Sequence, residues 1–408
     1  MKMVWAFVPF RFFFLSRIAM ALSTQMLMVI AGWQMYGITH SAFDLGLVGL
    51  AQFVPALALC FVVGQVADRC DQRRVLMACL VVQASIGGLL ISGTIGAWLG
   101  RGIILLASFG LGTVRAFQQP AQQALLPTLI PLDVLPRGLA LTSGGTQLAN
   151  ILGPAIAGFA FVAGSVVVYS ACGGMSVFAI VMIASISAER CRVGREPLTI
   201  KSGFAGITFI WHRKEVLGAI SLDLFAVLFG GATALLPIFA REVLHVGSSG
   251  LGMLRSAPVI GALLVSLYLS RHPVERRIGK IMFGAVAMYG LATMVFALSR
   301  NLLLSIGPLA LSGAFDMVSV VVRQSLVQLQ TPNDMRGRVS AVNSIFIGAS
   351  NQLGEFESGL TAAWFGAVPS VVIGGAATIL TVSLWLRLFP TLARTEKLSL
   401  AATVRSGA

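Results

Sequence analysis

The 408 residues carry 29 Lys and Arg against 15 Asp and Glu, a net charge of +14, yet only 11% are charged, 57% are hydrophobic and the mean hydropathy is +0.88. Soluble domains hold about 25% charged residues, so the composition describes an integral membrane protein. At about 20 apolar residues per span, the length accommodates roughly twelve helices and leaves no room for a catalytic module outside the bilayer.

Apolar runs bounded by charges, Gly or Pro predict helices at about 15–38, 44–66, 75–97, 102–126, 137–162, 165–188, 216–240, 250–270, 279–298, 302–328, 338–363 and 367–389. The first follows a basic, then apolar start without a small-residue cleavage site and reads as a retained span rather than a signal peptide. With the N-terminus inside, 23 Lys and Arg fall on the cytoplasmic side and only Arg101, Arg241 and Arg300 outside. Both termini are therefore expected in the cytoplasm, and the positive-inside rule accounts for the basic charge without nucleic acid.

The longest polar stretch, about Glu189 to Glu215, divides the chain near its middle. The expected organisation is an N-terminal six-helix bundle at 1–188, a cytoplasmic linker at 189–215, a C-terminal six-helix bundle at 216–390 and a cytoplasmic tail at 391–408. A shift of 201 residues lays Gly112–Gly158 on Gly313–Gly359 with twelve of 47 positions identical, among them Gln123 on Gln324, Asp133 on Asp334, Arg137 on Arg338, Asn150 on Asn351 and Gly153 on Gly354. The fold class expected is all-α and membrane-integral: twelve transmembrane helices in two pseudo-symmetric bundles. Parallel repeats of this kind build alternating-access transporters.

Between the second and third helices runs Gly64-Gln65-Val66-Ala67-Asp68-Arg69-Cys70-Asp71-Gln72-Arg73-Arg74. It closely resembles the G-x-x-x-D-R-x-G-R-R/K loop of the major facilitator superfamily, with Asp71 where the pattern has Gly. The resemblance implies a gating loop, carried by Gly64, Asp68, Arg69, Arg73 and Arg74, that helps latch the two halves in the outward-open state. Ala31-Gly32-Trp33-Gln34-Met35-Tyr36, Leu45–Pro55 and Gly354-Glu355-Phe356-Glu357-Ser358-Gly359 are similar to the branch that contains the enterobactin exporter and related bacterial efflux permeases. Trp33 and Tyr36 could line a cavity or anchor at the membrane interface. In the fifth helix Ala140, Ala149, Gly153, Pro154, Ala157 and Gly158 resemble the antiporter motif of drug/proton exchangers, with Ala for three of its glycines. Simple small-residue packing is the other reading of that spacing.

A charge at mid-helix costs roughly 2.5–3.5 kcal/mol on insertion scales, so each needs a reason. Arg115, Gln118, Gln119 and Gln122 form one polar stripe on the fourth helix, and Ser312, Asp316, Ser319 and Arg323 form another on the tenth. The repeat shift puts Arg115 on Asp316. Both are expected to contact substrate or to pair across a central cavity; a fixed structural ion pair is the alternative. Glu355 and Glu357 lie about 200° apart around one helix. Glu355, sharing a face with Asn351 and Ser358, is the expected cavity carboxylate, and Glu357 the drier group, which either exchanges a proton or is buried as a neutral hydrogen-bonding acid. Asp223 is either a site residue or an ion-pair and packing group.

Five cysteines, Cys60, Cys70, Cys79, Cys172 and Cys191, lack any CxxC or paired histidine, so neither a disulfide framework nor a zinc site is indicated. No metal and no cofactor is expected. Without a G-x-x-x-x-G-K-[ST] loop a primary ATP pump is disfavoured, and His40, His212, His245 and His272, all near predicted loops, offer no clustered base for an enzyme. The expectation is a multi-pass protein of the bacterial inner membrane, working as a monomer. It exports a small molecule, a siderophore, drug or metabolite, by alternating access in exchange for protons; a nutrient or metabolite importer of the same fold is the alternative.

Overall fold

The computed structural model describes residues 4–59, 62–63, 66, 70–131, 134–186, 208–272, 274, 276–332 and 335–396, and among these there is no strand. The chain divides into two compact units, Met1–Pro197 with Val246–Ser256, and Leu198–His245 with Ala257–Ala408. The first holds α1 (Val8–Thr39), α2 (Ala42–Ala58), α3 (Gln72–Ile95), α4 (Arg101–Leu129), α5 (Leu135–Ala160) and α6 (Ser165–Ala184). The second holds α7 (Lys214–Phe229), most of α8 (Gly247–Arg271), α9 (Ile278–Leu298), α10 (Leu302–Gln330), α11 (Arg336–Phe365) and α12 (Ala367–Leu388). Hydrocarbon offers backbone N–H groups no partner, so each span closes its own hydrogen bonds as a helix. Many hydroxyls do likewise, as in Thr142 to the Gly138 carbonyl, Thr293 to Tyr289 and Thr378 to Gly374, each 2.9 Å.

Among the described residues nine helices are long and apolar enough to cross a bilayer. The long helices α4 and α11 are not among them: α4 carries Arg115 with Gln118, Gln119, Gln122 and Gln123, and α11 carries Asn343, Asn351, Gln352, Glu355 and Glu357. Hydrophobic driving force does little between helices in lipid, so association rests on close packing at small residues. In unit 1 a Cβ added to Gly112 of α4 would stand 2.3 Å from the Gln52 carbonyl oxygen of α2. In unit 2 the repeat partner Gly313 of α10 meets the Pro258 carbonyl of α8 at 1.7 Å. Gly153 of α5 likewise faces Gln25 of α1, and its partner Gly354 of α11 faces the Val227 and Leu228 carbonyls of α7. Each unit also turns from its fifth to its sixth helix on a glycine at positive φ, Gly164 at 107° and Gly366 at 89°. The internal repeat is therefore one packing scheme used twice.

Three predicted boundaries change. The second helix, expected to reach 66, ends at Ala58. α1 begins at Val8, not near 15, with Pro9 in its first turn; Arg11 and Arg17 lie within the helix, where a long side chain can carry its charge away from apolar surroundings. The helix expected at 216–240 stops at Phe229. Gly230 and Gly231 follow, then a 3₁₀ turn Ala232–Leu235, Pro237, and a π-helical stretch Phe239–Val243. A Cβ at Gly230 would collide with Tyr289, and one at Gly231 with the Gly354 carbonyl and Ser358. These two positions admit no side chain, and glycine there costs helix stability.

Candidate functional site

In unit 1 the interior carries a closed chain of neutral polar groups. Gln118 Nε2 donates to Gln83 Oε1 (3.2 Å), Gln83 Nε2 to Ser23 Oγ (2.9 Å), and Ser23 Oγ to the Cys172 carbonyl (3.1 Å), which also accepts from Ser176 Oγ (2.9 Å). The stripe expected on α4 is thus divided. Gln118 is buried in this chain, whereas Arg115 and Gln119 are exposed and Gln122 is half-buried with Nε2 3.6 Å from Met20 Sδ. The correction has a simple cause: one stripe spans enough of the helix circumference for its edge to turn into the bundle.

A second polar face in unit 1 escaped the sequence reading. Ser143, Thr146, Gln147 and Asn150 recur at helical spacing on α5; Arg17 Nε donates to Thr146 Oγ1 (3.0 Å) and Gln25 Nε2 to Asn150 Oδ1 (3.1 Å). The same three- and four-residue spacing used for α4 would have found it; the small residues of the antiporter-like pattern drew the reading instead. Trp33 and Tyr36, expected at a cavity or an interface, are both buried, Trp33 edge-on to Phe161.

In unit 2 the α10 positions that match the α4 stripe include a buried charge. The repeat shift lays Arg115, Gln118 and Gln122 on Asp316, Ser319 and Arg323. Arg323, 2% exposed, pairs through Nη1 with Asp223 Oδ2 at 2.8 Å, and its Nε has no hydrogen-bond acceptor among the described residues. Arg323, a member of the stripe expected on α10, therefore lies in the packed interior beside α7. Asp223, Tyr289, Asp316 and Ser319, with Ala226, Val227 and Val286, line a cavity of about 10 Å³, the scale of a single water. Tyr289 Oη donates to the Gly230 carbonyl (2.8 Å) where α7 ends. Two carboxylates, one arginine and the break in α7 thus converge. Glu355 and Glu357 on α11 are each half-buried, so burial does not separate them.

Of the gating-loop residues, Gly64, Asp68 and Arg69 lie outside the described residues. Arg73 Nε donates to the Ile183 carbonyl (2.9 Å) and Nη2 to that of Ala184, so its charge sits at the C-terminal end of α6. Arg74 is exposed and 3.7 Å from Asp71. Asp71 accepts the Arg73 backbone N–H and caps α3, which accounts for a carboxylate where the pattern has Gly. Gly153 and Gly158 are close-approach positions, Gly158 against the Gly252 backbone in the same unit, while α5 runs unbroken through Pro154.

The family model described as transmembrane secretion effector matches residues 6–405. The enterobactin exporters EntS of Citrobacter koseri and of Shigella boydii serotype 18 are each 26% identical over 385 residues, covering 91% of this chain and 86% of theirs. Among solved structures, a bacterial homolog of the human lysosomal transporter Spinster, inward-facing and unoccupied, superposes with a TM-score of 0.71 at 13% identity over 94% of this chain and 95% of its own. The nucleoside transporter NupG gives 0.70 at 13% identity over 94% and 99%. At that identity these structures speak for the fold alone, and the fold is theirs.

Proposed function

Because the chain belongs to the transmembrane secretion effector family within the major facilitator superfamily, and is a multi-pass membrane transporter, we propose that it exports a small molecule across the bacterial inner membrane by alternating access in exchange for protons. The class of substrate is a siderophore, drug or metabolite, in keeping with the exporters it resembles. The observation that carries the proposal is the Asp223–Arg323–Asp316 cluster of unit 2. One arginine balances one carboxylate; the second acid is left for a proton or for substrate charge to balance. A charge-bearing cluster in hydrocarbon is costly and marks a coupling or substrate path, and a buried N–H without an acceptor costs about 1–3 kcal/mol more. Of the matching positions in unit 1 only Gln118 is buried, and it lies in a neutral network, while Arg115 is exposed and Gln122 half-buried, so coupling is assigned to unit 2. Exchange then needs only that protonation and substrate binding favour different states. Asp316 is the first candidate proton carrier, ahead of Glu355 and Glu357, with Arg115, Gln119 and Gln122 as substrate contacts.

The test uses energised inside-out membrane vesicles containing the full chain, challenged with siderophores, antibiotics and cationic dyes while internal pH is followed. One compound should release protons and accumulate inside, and Asp316→Asn should abolish proton release. Unchanged release in Asp316→Asn would overturn the assignment to Asp316, and unchanged release in Glu355→Gln and Glu357→Gln as well would overturn the assignment to unit 2. A labelled compound that crosses without moving protons would overturn antiport, and loss of preloaded compound in place of accumulation would indicate the importer.

A further inference from the structure

A groove of about 920 Å³ runs along the seam of α1 and α5 in unit 1, within the upper range of small-molecule sites. The eight residues of α5 that line it, the first Arg137 and the last Leu152, cover about 180° of arc at 100° per residue. Thr146 and Asn150, the polar side of the same seam, line none of it and fall on the other half of the helix, about 60–80° beyond the nearest lining residue. The groove is therefore a different face from the candidate site.

Its two ends differ in chemistry. At one end stand Trp5 and Arg137, where α1 and α5 both begin. Trp5 packs edge-on to Phe14 with centroids 5.0 Å apart, and its carbonyl accepts from Arg11 Nε. Tryptophan with arginine at the start of apolar helices marks the membrane–water boundary. From there to Leu152 the groove holds no further charge. Fifteen residues of α5 separate Arg137 from Leu152, about 22 Å, more than the roughly 15 Å half-thickness of a bilayer core. Leu148 and Leu152, 50% and 49% exposed, flank the opening. A polar solute would leave its polar groups unpaired along that length; a lipid has its polar part only at the end where the arginines are.

We propose that this groove binds one anionic phospholipid, its phosphate at Arg137 with Arg11 nearby and an acyl chain along the floor that Gly144 leaves open. The cation supplies the preference for an anionic head, worth about fivefold per basic residue near the surface.

Native mass spectrometry of the detergent-solubilised full chain, offered phosphatidylglycerol or phosphatidylcholine of equal chain length, tests this. The wild type should retain phosphatidylglycerol about fivefold more, and Arg137→Gln should remove the preference. A Cβ at Gly144 meets nothing within 4 Å, so Gly144→Leu should fill the groove and lose the bound lipid with melting unchanged. Equal retention of the two lipids by the wild type, a preference that survives Arg137→Gln, or lipid retained by Gly144→Leu would each overturn the proposal. So would hexyl phosphate displacing phosphatidylglycerol at equal concentration, which would make the site one for a free anion.

Discussion

Asp223 and Arg323 are each at most 5% exposed, and an ion pair in that setting is far costlier to halve than to delete. Asp223→Asn leaves the guanidinium charge without its partner and should destabilise unit 2 by about 3–5 kcal/mol. Adding Arg323→Gln should restore most of the loss. Thermal melting of the singles and the double in detergent measures the coupling, and additive effects would show that the pair does not interact. In unit 1, Gln118→Leu takes a donor from Gln83 Oε1 within a neutral network, so its cost should be smaller, about 1–3 kcal/mol, by the same measurement. Asp71 gives a third case. As the cap of α3, Asp71→Ala should cost about 1 kcal/mol and Asp71→Gly, the residue of the family pattern, only a few tenths.

Among the helices, the glycines sort by what a methyl group would meet. Gly313→Ala puts Cβ 1.7 Å from the Pro258 carbonyl oxygen. It should force α8 and α10 apart and lower the melting temperature, at a cost of about 1–3 kcal/mol or more. Gly284→Ala on α9 meets open space and should be neutral or stabilising by up to about 1 kcal/mol, since alanine is the better helix former. Comparable melting of the two variants would contradict the packing described. The internal repeat was legible in Gly112 and Gly313, yet what each glycine serves was not. The carbonyl of a different helix, far away along the chain, decides it. The break in α7 was half legible for the same reason. Gly230, Gly231 and Pro237 weaken a helix in any setting, but an apolar run masks them until Tyr289 and Ser358 show what fills the space.

For the molecule as a whole, the distribution of Lys and Arg predicts which loops meet which side. In a cysteine-free background, Arg300→Cys in intact cells should react with a membrane-impermeant thiol reagent, and Arg276→Cys only after the membrane is opened. The reverse pattern would invert the topology. By itself the sequence determined the solvent, the number of spans, the repeat and the family, because hydropathy, charge asymmetry and motif spacing are sums along one dimension. It also marked Arg115, Asp316, Glu355 and Glu357 as polar groups in apolar runs. Only the tertiary structure decided which polar residues turn inward, separating Gln118 from Gln119 and burying Arg323 against Asp223. The rotation of a helix about its own axis is set by its neighbours, and a 100° step between adjacent residues turns one side chain into the packed interior and leaves the next outside it.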